Sequence, residues 1–298
     1  MPIVYRPALA ADLERANELV VGSMNDLTER HGFGPIATVG RPNFSTFSLS
    51  DDPDGLWIAE SASQIVGFAF SWVCGNLWFL AQLFVSPDQQ GRGIGQALLQ
   101  RTFEHAQKAK AANKALITFT FNSVSQGLYI RHGLLPRLPI YNISVARDVL
   151  KGRLRDAPLR CVSIESTSAH LDRLAEIDAR ALGVSREKHH RYLIGDRATS
   201  GNLMYAGDDC VGYAYVADGH IGPLAVIQRS AVSAAFRTAL SLAAESGSSQ
   251  VSAFLPGTND ALPIAIEHGM RITLPMVLMS NNDLGDWSLY LPRNPGLM

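Results

Sequence analysis

Residues Leu77–Gln107 read LWFLAQLFVSPDQQGRGIGQALLQRTFEHAQ, and this stretch decides how the rest of the chain is read. Trp78, Phe79, Leu80, Leu83, Phe84 and Val85 form an apolar run of strand length. Ser86-Pro87-Asp88 ends it, because proline cannot donate to a ladder and Ser and Asp favour turns. Ala97, Leu98, Leu99, Phe103 and Ala106 then recur with the spacing of one helix face. Between strand and helix lies Gln90-Gly91-Arg92-Gly93-Ile94-Gly95. Glycines at such a junction let successive backbone N–H groups point at an anion, and the helix N-terminus adds a partial positive charge. The stretch therefore predicts a phosphate cradle; a tight turn without a ligand is the plainer alternative.

Motif spacing narrows the choice. A dinucleotide fingerprint needs G-x-G-x-x-G, whereas Gly91, Gly93 and Gly95 are evenly spaced. A Walker loop needs a Gly-Lys-Ser/Thr ending, which this stretch lacks. What remains is Gln90-x-x-Gly93-x-Gly95, preceded by Val85-x-Pro87. This pattern closely resembles the coenzyme A pyrophosphate loop of the GNAT N-acyltransferase superfamily. The resemblance implies an α/β fold with a mixed, mostly antiparallel central sheet flanked by helices, and acetyl-CoA as acyl donor.

Composition sets wider bounds. At 298 residues, 47% hydrophobic and 18% charged, the chain is long enough for two globular domains and too apolar for disorder. A formal net charge of −1, with no basic block, argues against nucleic acid or an anionic membrane as the main partner. No apolar run reaches membrane-spanning length. The opening MPIVYRPALAADLERANELV lacks a charged segment followed by an apolar one, so a cytoplasmic location is expected. Cys74, Cys161 and Cys210 are odd in number and form no CxxC, which fits a reducing compartment and suggests neither zinc nor a disulfide scaffold.

In chain order, Ile3–Pro7 reads as a strand and Ala10–Asn25 as a helix. Thr28–Gly55 reads as a long irregular loop rich in Gly, Pro, Ser and Asn. Leu56–Ala59 and Ile65–Phe70 read as a hairpin, Ala115–Phe121 as a strand, Asn122–His132 as a helix stopped at Gly133, and Leu138–Val145 as a strand. This order matches the family's. Residues 147–160 are charged and carry one proline, so a boundary is expected near 150. The expected division is a catalytic domain over 1–148, a linker over 149–160 and a second domain over 161–298.

The second half repeats the first weakly but in register. Val66-Gly67-Phe68-Ala69-Phe70 is answered by Val211-Gly212-Tyr213-Ala214-Tyr215, Arg131-His132-Gly133 by Glu267-His268-Gly269, and Leu138-Pro139 by Leu274-Pro275. The reading is two GNAT-like domains in tandem. The second lacks the glycines, having Gln228-Arg229-Ser230-Ala231 in place of the cradle. It also has Ala265 where the first has Tyr129, four residues before each matching glycine. A degenerate second domain with a structural or substrate-shaping role is expected, and one cofactor site per chain.

The resemblance assigns roles to the first half. Leu83 and Val85, with Phe84 between them, would pair through their backbone with the pantetheine arm. The N–H groups of Gln90, Gly91, Arg92, Gly93, Ile94, Gly95 and Gln96 would hold the pyrophosphate, with Arg92 adding charge. Tyr129 matches the usual general acid, since a phenol stays protonated at neutral pH and can donate to a leaving thiolate. Asn122 would cap its helix and bond the pantetheine region. Either residue has a plainer role, as a core tyrosine or a simple cap. Leu134 stands where relatives often have an aromatic residue.

No acidic residue lies on the strand before the cradle, where many relatives keep their base; Ala81 and Gln82 stand there. Glu60 and His31 are the remaining candidates, and a proton lost through ordered water needs neither. His189, His190 and His220 show no metal spacing and read as surface or packing residues; no metal is expected. Trp57, Trp72 and Trp78 read as core, with Trp72 as a possible aromatic wall for an acceptor. The expected activity is transfer of an acetyl group from acetyl-CoA to the primary amine of a small molecule, in a chain able to form a homodimer. The alternatives are a protein lysine or N-terminal acetyltransferase and a non-enzymatic acyl-CoA-binding regulatory module.

Overall fold

The computed structural model describes residues 2–155 and 157–298. Met1 of the expected first domain and residue 156 of the expected linker lie outside the described residues. The chain forms two compact units, one running through Leu116 with Ser123–Leu134, the other comprising Ile117–Asn122 and Leu135–Met298.

The first unit begins with β1 (Val4–Pro7) and, after a single 3-10 turn, α1 (Leu13–Arg30). Residues 28–55, expected as irregular, contain α2 (Asn43–Asp51) and a 3-10 turn at Pro53–Gly55. Phe44 and Phe47, one helical turn apart, stack at 6.4 Å, and Phe44 packs against Phe70 at 5.4 Å. Tertiary packing of two aromatic rings thus overrides the weak helix propensity of a Ser- and Asn-rich stretch.

Next come β2 (Leu56–Ser61), β3 (Gln64–Cys74), β4 (Leu77–Val85), α3 (Ile94–Lys108), β5 (Asn113–Phe119) and α4 (Ser123–Arg131). Strands β1 to β4 pair antiparallel in chain order. β5 pairs with β4 in parallel, after the crossover through α3. Trp72, Trp78, Phe68, Phe70 and Phe79 are fully buried, each worth about 1.5–3 kcal/mol of transfer free energy. Trp72, stacked on Phe79 at 4.9 Å and without exposure, is core and forms no acceptor wall. α3 lies close on the sheet because Gly67 faces it: a Cβ there would come within 2.9 Å of Leu98 Cδ1.

In the second unit, β6 (Leu135–Ala146) leads through α5 (Arg147–Lys151) to β7 (Arg160–Ser163), α6 (Ser168–Leu182) and α7 (Glu187–Gly195). β8 (Ser200–Ala206), β9 (Asp209–Ala217), β10 (His220–Val226), α8 (Val232–Glu245), β11 (Gln250–Pro256), α9 (Ala261–Glu267), β12 (Arg271–Ser280) and the short β13 (Tyr290–Leu291) complete it. β7 to β10 are antiparallel, and β10 pairs with β11 in parallel, so the connectivity of the first unit recurs. The expected mixed, mostly antiparallel architecture is present.

β6 departs from the simple tandem order. It sits between β11 and β12 and pairs antiparallel with both. Grouped by contact, the first unit stops at Leu134 and Leu135–Ala146 belongs to the second, whereas the sequence places the boundary after residue 148. The first half's last strand is satisfied on both edges by strands of the second half.

Candidate acyl-donor site

The site grows from the far end of β4. The β3–β4 register shifts between Phe70 and Ser71, leaving Ala81 as an extra residue, and the β4–β5 ladder ends at Leu80↔Leu116. A bulge bends its strand at this kind of point. Beyond it Gly67 faces Val85 and Ala69 faces Leu83, and Ser86 N–H donates to Val66 O at 2.9 Å. Backbone direction alternates along a strand, so Phe84 and Ser86 turn their polar groups toward β3, while Leu83 and Val85 turn theirs away. The side chains of Leu83 and Val85 pack on a core of Ala59, Val66, Ala69, Ile94 and Leu98. What the strand offers on that edge is backbone. The Val85 carbonyl already accepts from Gln90 Nε2 at 3.1 Å and from Ser23 Oγ at 3.4 Å.

Six residues on, Gly91 (φ +75°) and Gly93 (φ +79°) adopt left-handed backbone, and Gly93 is the N-cap of α3. A Cβ at either would meet nothing within 4 Å, so the requirement for glycine is conformational, not steric. Ala97 N–H donates to Gly93 O at 3.0 Å. The N–H groups of Ile94, Gly95 and Gln96 precede that first intrahelical bond, and among the described residues no side-chain cap is found at this end. Gln90, Gly91, Arg92 and Gly93 are exposed. Arg92 Nη1 donates to Gln89 Oε1. Asp88 is held below the usual carboxylate range by hydrogen bonds from Ser86 and then Gln89. An exposed helix N-terminus with free N–H groups, entered through two left-handed glycines, fits a pyrophosphate.

Tyr129 lies on α4, in the first unit, and is 5% exposed. Burial pushes its phenol well above the usual value, with the Ser125 hydroxyl bonded to it working the other way. The group is therefore a proton donor at neutral pH, never a phenolate. Two residues beyond α4, Gly133 takes φ +78°, and Leu134 N–H returns to Tyr129 O at 3.1 Å, which fixes this turn of the chain. Leu134 is fully buried. Asn122 immediately precedes α4, groups with the second unit, and donates its N–H to Phe119 O at 3.2 Å.

The two candidate bases are placed differently from each other. Glu60 Oε2 accepts from Arg6 Nε at 3.0 Å and from Nη2 at 2.8 Å, and the same guanidinium forks onto Asp12. A guanidinium shared in this way ties β1 and β2 to the start of α1. His31 is exposed at the C-terminus of α1, its Nδ1 2.9 Å from Leu27 O.

The second unit has the counterpart elements with different residues at these positions. Gly269 N–H bonds Ile266 O at 2.9 Å and Met270 N–H bonds Ala265 O at 3.0 Å, repeating the bonds of Gly133 and Leu134 and making Ala265 the counterpart of Tyr129. At the cradle's position Arg229 is paired with Asp260 at 2.8 and 2.7 Å. His189 and His190 are buried, as is most of the His220 side chain, so they are packing and not surface residues. No group of residues able to hold a metal is found among the described residues.

Two polar clusters carry no sequence signature because each is assembled from several different elements. In the first unit His105 joins Ser71 Oγ (3.0 Å, Nδ1) to Asp52 Oδ1 (2.9 Å, Nε2). Ser71 has no exposure, so this Ser–His–Asp chain clamps the end of α2 and has no access to a substrate. In the second unit Asp178, Arg186, His190, Tyr213 and Tyr215 form a buried network.

The sequence profile described as the Acetyltransferase (GNAT) family matches residues 24–134, spanning α1 through α4. An uncharacterized N-acetyltransferase from Archaeoglobus fulgidus is 34% identical over 74 residues, 22% of this chain and 48% of that protein. The chain thus spans about half the length of that curated relative. A structure from Pyrococcus horikoshii, provisionally assigned as an acetyltransferase, superposes with a TM-score of 0.76 at 18% identity over 99% of this chain and 96% of the other. A tandem GNAT protein from the clavulanic acid biosynthesis pathway gives 0.58 at 17% identity, over 94% and 98%. Residues 24–134 thus match the model of the GNAT acetyltransferase family, in a chain whose fold resembles that of a tandem GNAT protein.

Proposed function

We propose that the chain is an acetyl-CoA-dependent N-acetyltransferase acting on the primary amine of a small molecule, with the donor bound by the first repeat. The observation that carries this reading is the continuity of one surface. The outward backbone of Leu83 and Val85 runs into the open N-terminus of α3 through Gly91 and Gly93. A thioester with an amide-bearing arm and a pyrophosphate would find both sets of partners in that order. Division into a catalytic part over 1–148, a connection over 149–160 and a degenerate part over 161–298 belongs to the same proposal.

Acetyl-CoA supplies an activated acyl group as a thioester. The chain's part is orientation and proton handling. β4 holds the arm extended by main-chain bonds, and the N–H groups of Gly93 to Gln96 hold the pyrophosphate. Tyr129 donates its phenolic proton to the departing sulfur. With Glu60 bonded twice by Arg6, the attacking amine's proton leaves to ordered water or to His31.

The test is differential scanning fluorimetry with acetyl-CoA, combined with a thiol-release screen across small amines and lysine peptides. A raised melting temperature and thiol release with a small amine support the reading. A thermal shift with no release across the screen leaves an acyl-CoA-binding module. Release confined to peptides moves the acceptor to proteins.

A further inference from the structure

Val226 is the second repeat's counterpart of Val85, and backbone geometry fixes the correspondence. Ser86 N–H donates to Val66 O at 2.9 Å, and Ile227 N–H donates to Val211 O at 3.0 Å. The strand registers agree: Gly67↔Val85 in one unit, Gly212↔Val226 in the other. β10 also carries a register shift, between Ile221 and Leu224, and its ladder with β11 ends at Ile221↔Ala253. Leu224 and Val226 therefore turn their backbone polar groups away from β9, as Leu83 and Val85 turn theirs away from β3.

On this edge of the second repeat a strand is already seated. β13 pairs antiparallel with β10 through Leu224↔Leu291 and Ala225↔Tyr290, and Val226 N–H donates to Leu289 O at 3.0 Å. Tyr290 and Leu291 are fully buried. The flanking residues are fastened. Asn259 Nδ2 donates to Trp287 O at 2.9 Å and to Ser288 O at 3.1 Å. Arg293 Nη1 donates to Gly222 O at 3.0 Å, and Nη2 to Thr199 Oγ1 at 3.3 Å. A Cβ on Gly222 would stand 2.6 Å from Pro292 O and 2.9 Å from Arg293 Cα, so glycine at the bulge admits this segment. His220 Nε2 meets Arg293 O, while its Nδ1 lies 2.9 Å from Ser252 Oγ.

A splayed strand inside a unit leaves N–H and C=O groups that need partners once water is excluded. We propose that Trp287–Arg293 occupies, within the same chain, the slot that answers to the acyl-donor slot of the first repeat. It stands in for a pantetheine arm, closing the second repeat to acyl-CoA and setting the stoichiometry at one donor per chain. The loss of the cradle glycines and the seated strand are then two halves of one change: the pyrophosphate end lost its glycines, and the arm end gained a protein occupant. The meaning of the slot rests on the acyl-donor reading of the first repeat.

Hydrogen–deuterium exchange of the full chain, with and without saturating CoA, tests this, alongside calorimetric stoichiometry. Peptides covering 222–228 and 287–293 are expected to exchange on the order of a hundredfold more slowly than free peptide before CoA is added. They should not change on its addition, while 83–96 gains protection and calorimetry gives one CoA per chain. Asn259→Asp keeps the side-chain oxygen and removes both donors to the segment. It should speed exchange at 222–228 and 287–293 together, at least about tenfold, and leave 83–96 unaffected. Free exchange at 222–228 in the native chain, new protection there with CoA, or two CoA per chain overturns the proposal. No response at 83–96 defeats the acyl-donor reading itself, and the stand-in with it, even where 222–228 stays protected. The two failures therefore look different.

Discussion

Asp178 and Arg186 meet at 3.0 Å with neither side chain exposed to solvent. Burial alone would raise the Asp178 carboxyl, but the charges of Arg186 and His190 and their hydrogen bonds hold it far below the usual carboxylate range. Such a pair is costly to halve, because the surviving charge is left buried and alone. Asp178→Ala is expected to destabilise the second unit by about 3–5 kcal/mol, read as a lower denaturation midpoint by circular dichroism. The pH dependence has a definite sign. A depressed folded pKa contributes stability that is complete above the unfolded value of about 3.9. That stability is lost as pH falls through and below that value. Acid unfolding of the native chain should therefore steepen below pH ~4, and Asp178→Asn should flatten that limb.

Tyr129 is buried, and burial keeps its phenol protonated at neutral pH. Tyr129→Phe keeps the ring and removes the proton. Turnover is expected to fall roughly hundredfold or more, while the thermal shift with acetyl-CoA persists. Full turnover in this variant would withdraw the acid assignment.

Gly93 holds φ +79° at the N-cap of α3, with open space where a side chain would stand. Gly93→Ala should cost about 1–2 kcal/mol of backbone strain, or tilt the first helical turn away from its present geometry. Calorimetry should show CoA affinity lowered about tenfold, the equivalent of 1.4 kcal/mol, with the circular dichroism spectrum retained.

Glu60 is bonded twice by Arg6. Glu60→Gln should lower the melting temperature of the first unit and leave turnover within about twofold, since a base contributes far more than that. With no protein base, kcat/KM should rise with pH along the acceptor amine's own deprotonation, and the midpoint should move when an amine of different pKa is used. A midpoint fixed across amines would reveal a titrating side chain instead.

His105 bonds Asp52 and Ser71 at opposite ring nitrogens. His105→Ala strands both and should cost about 1–3 kcal/mol. The loosening should be local, seen as faster amide exchange over 43–55, where α2 is tied down.

Residues adjacent in sequence could be read in advance. Leu77–Gln107 forms β4, the two left-handed glycines and α3, because strand run, turn chemistry and helical spacing all lie within thirty-one consecutive positions. The helix before Gly133 and the repeat of Val66–Phe70 in Val211–Tyr215 were legible for the same reason. α2 was not, because Phe44 finds its packing partner, Phe70, only in the fold.

The sequence by itself determined the glycine turn between β4 and α3, its absence from the second repeat, and the order of strands in the first half. Each depends on local dihedral preference or on a hydrophobic period. Only the tertiary structure decided four further matters. Glu60 is tied to Arg6. β6 is seated between β11 and β12. Asp178, Arg186 and His190 share one buried site. β13 fills the splayed edge of β10. These depend on which distant groups satisfy a charge or an open strand edge, and a linear pattern holds no term for that choice.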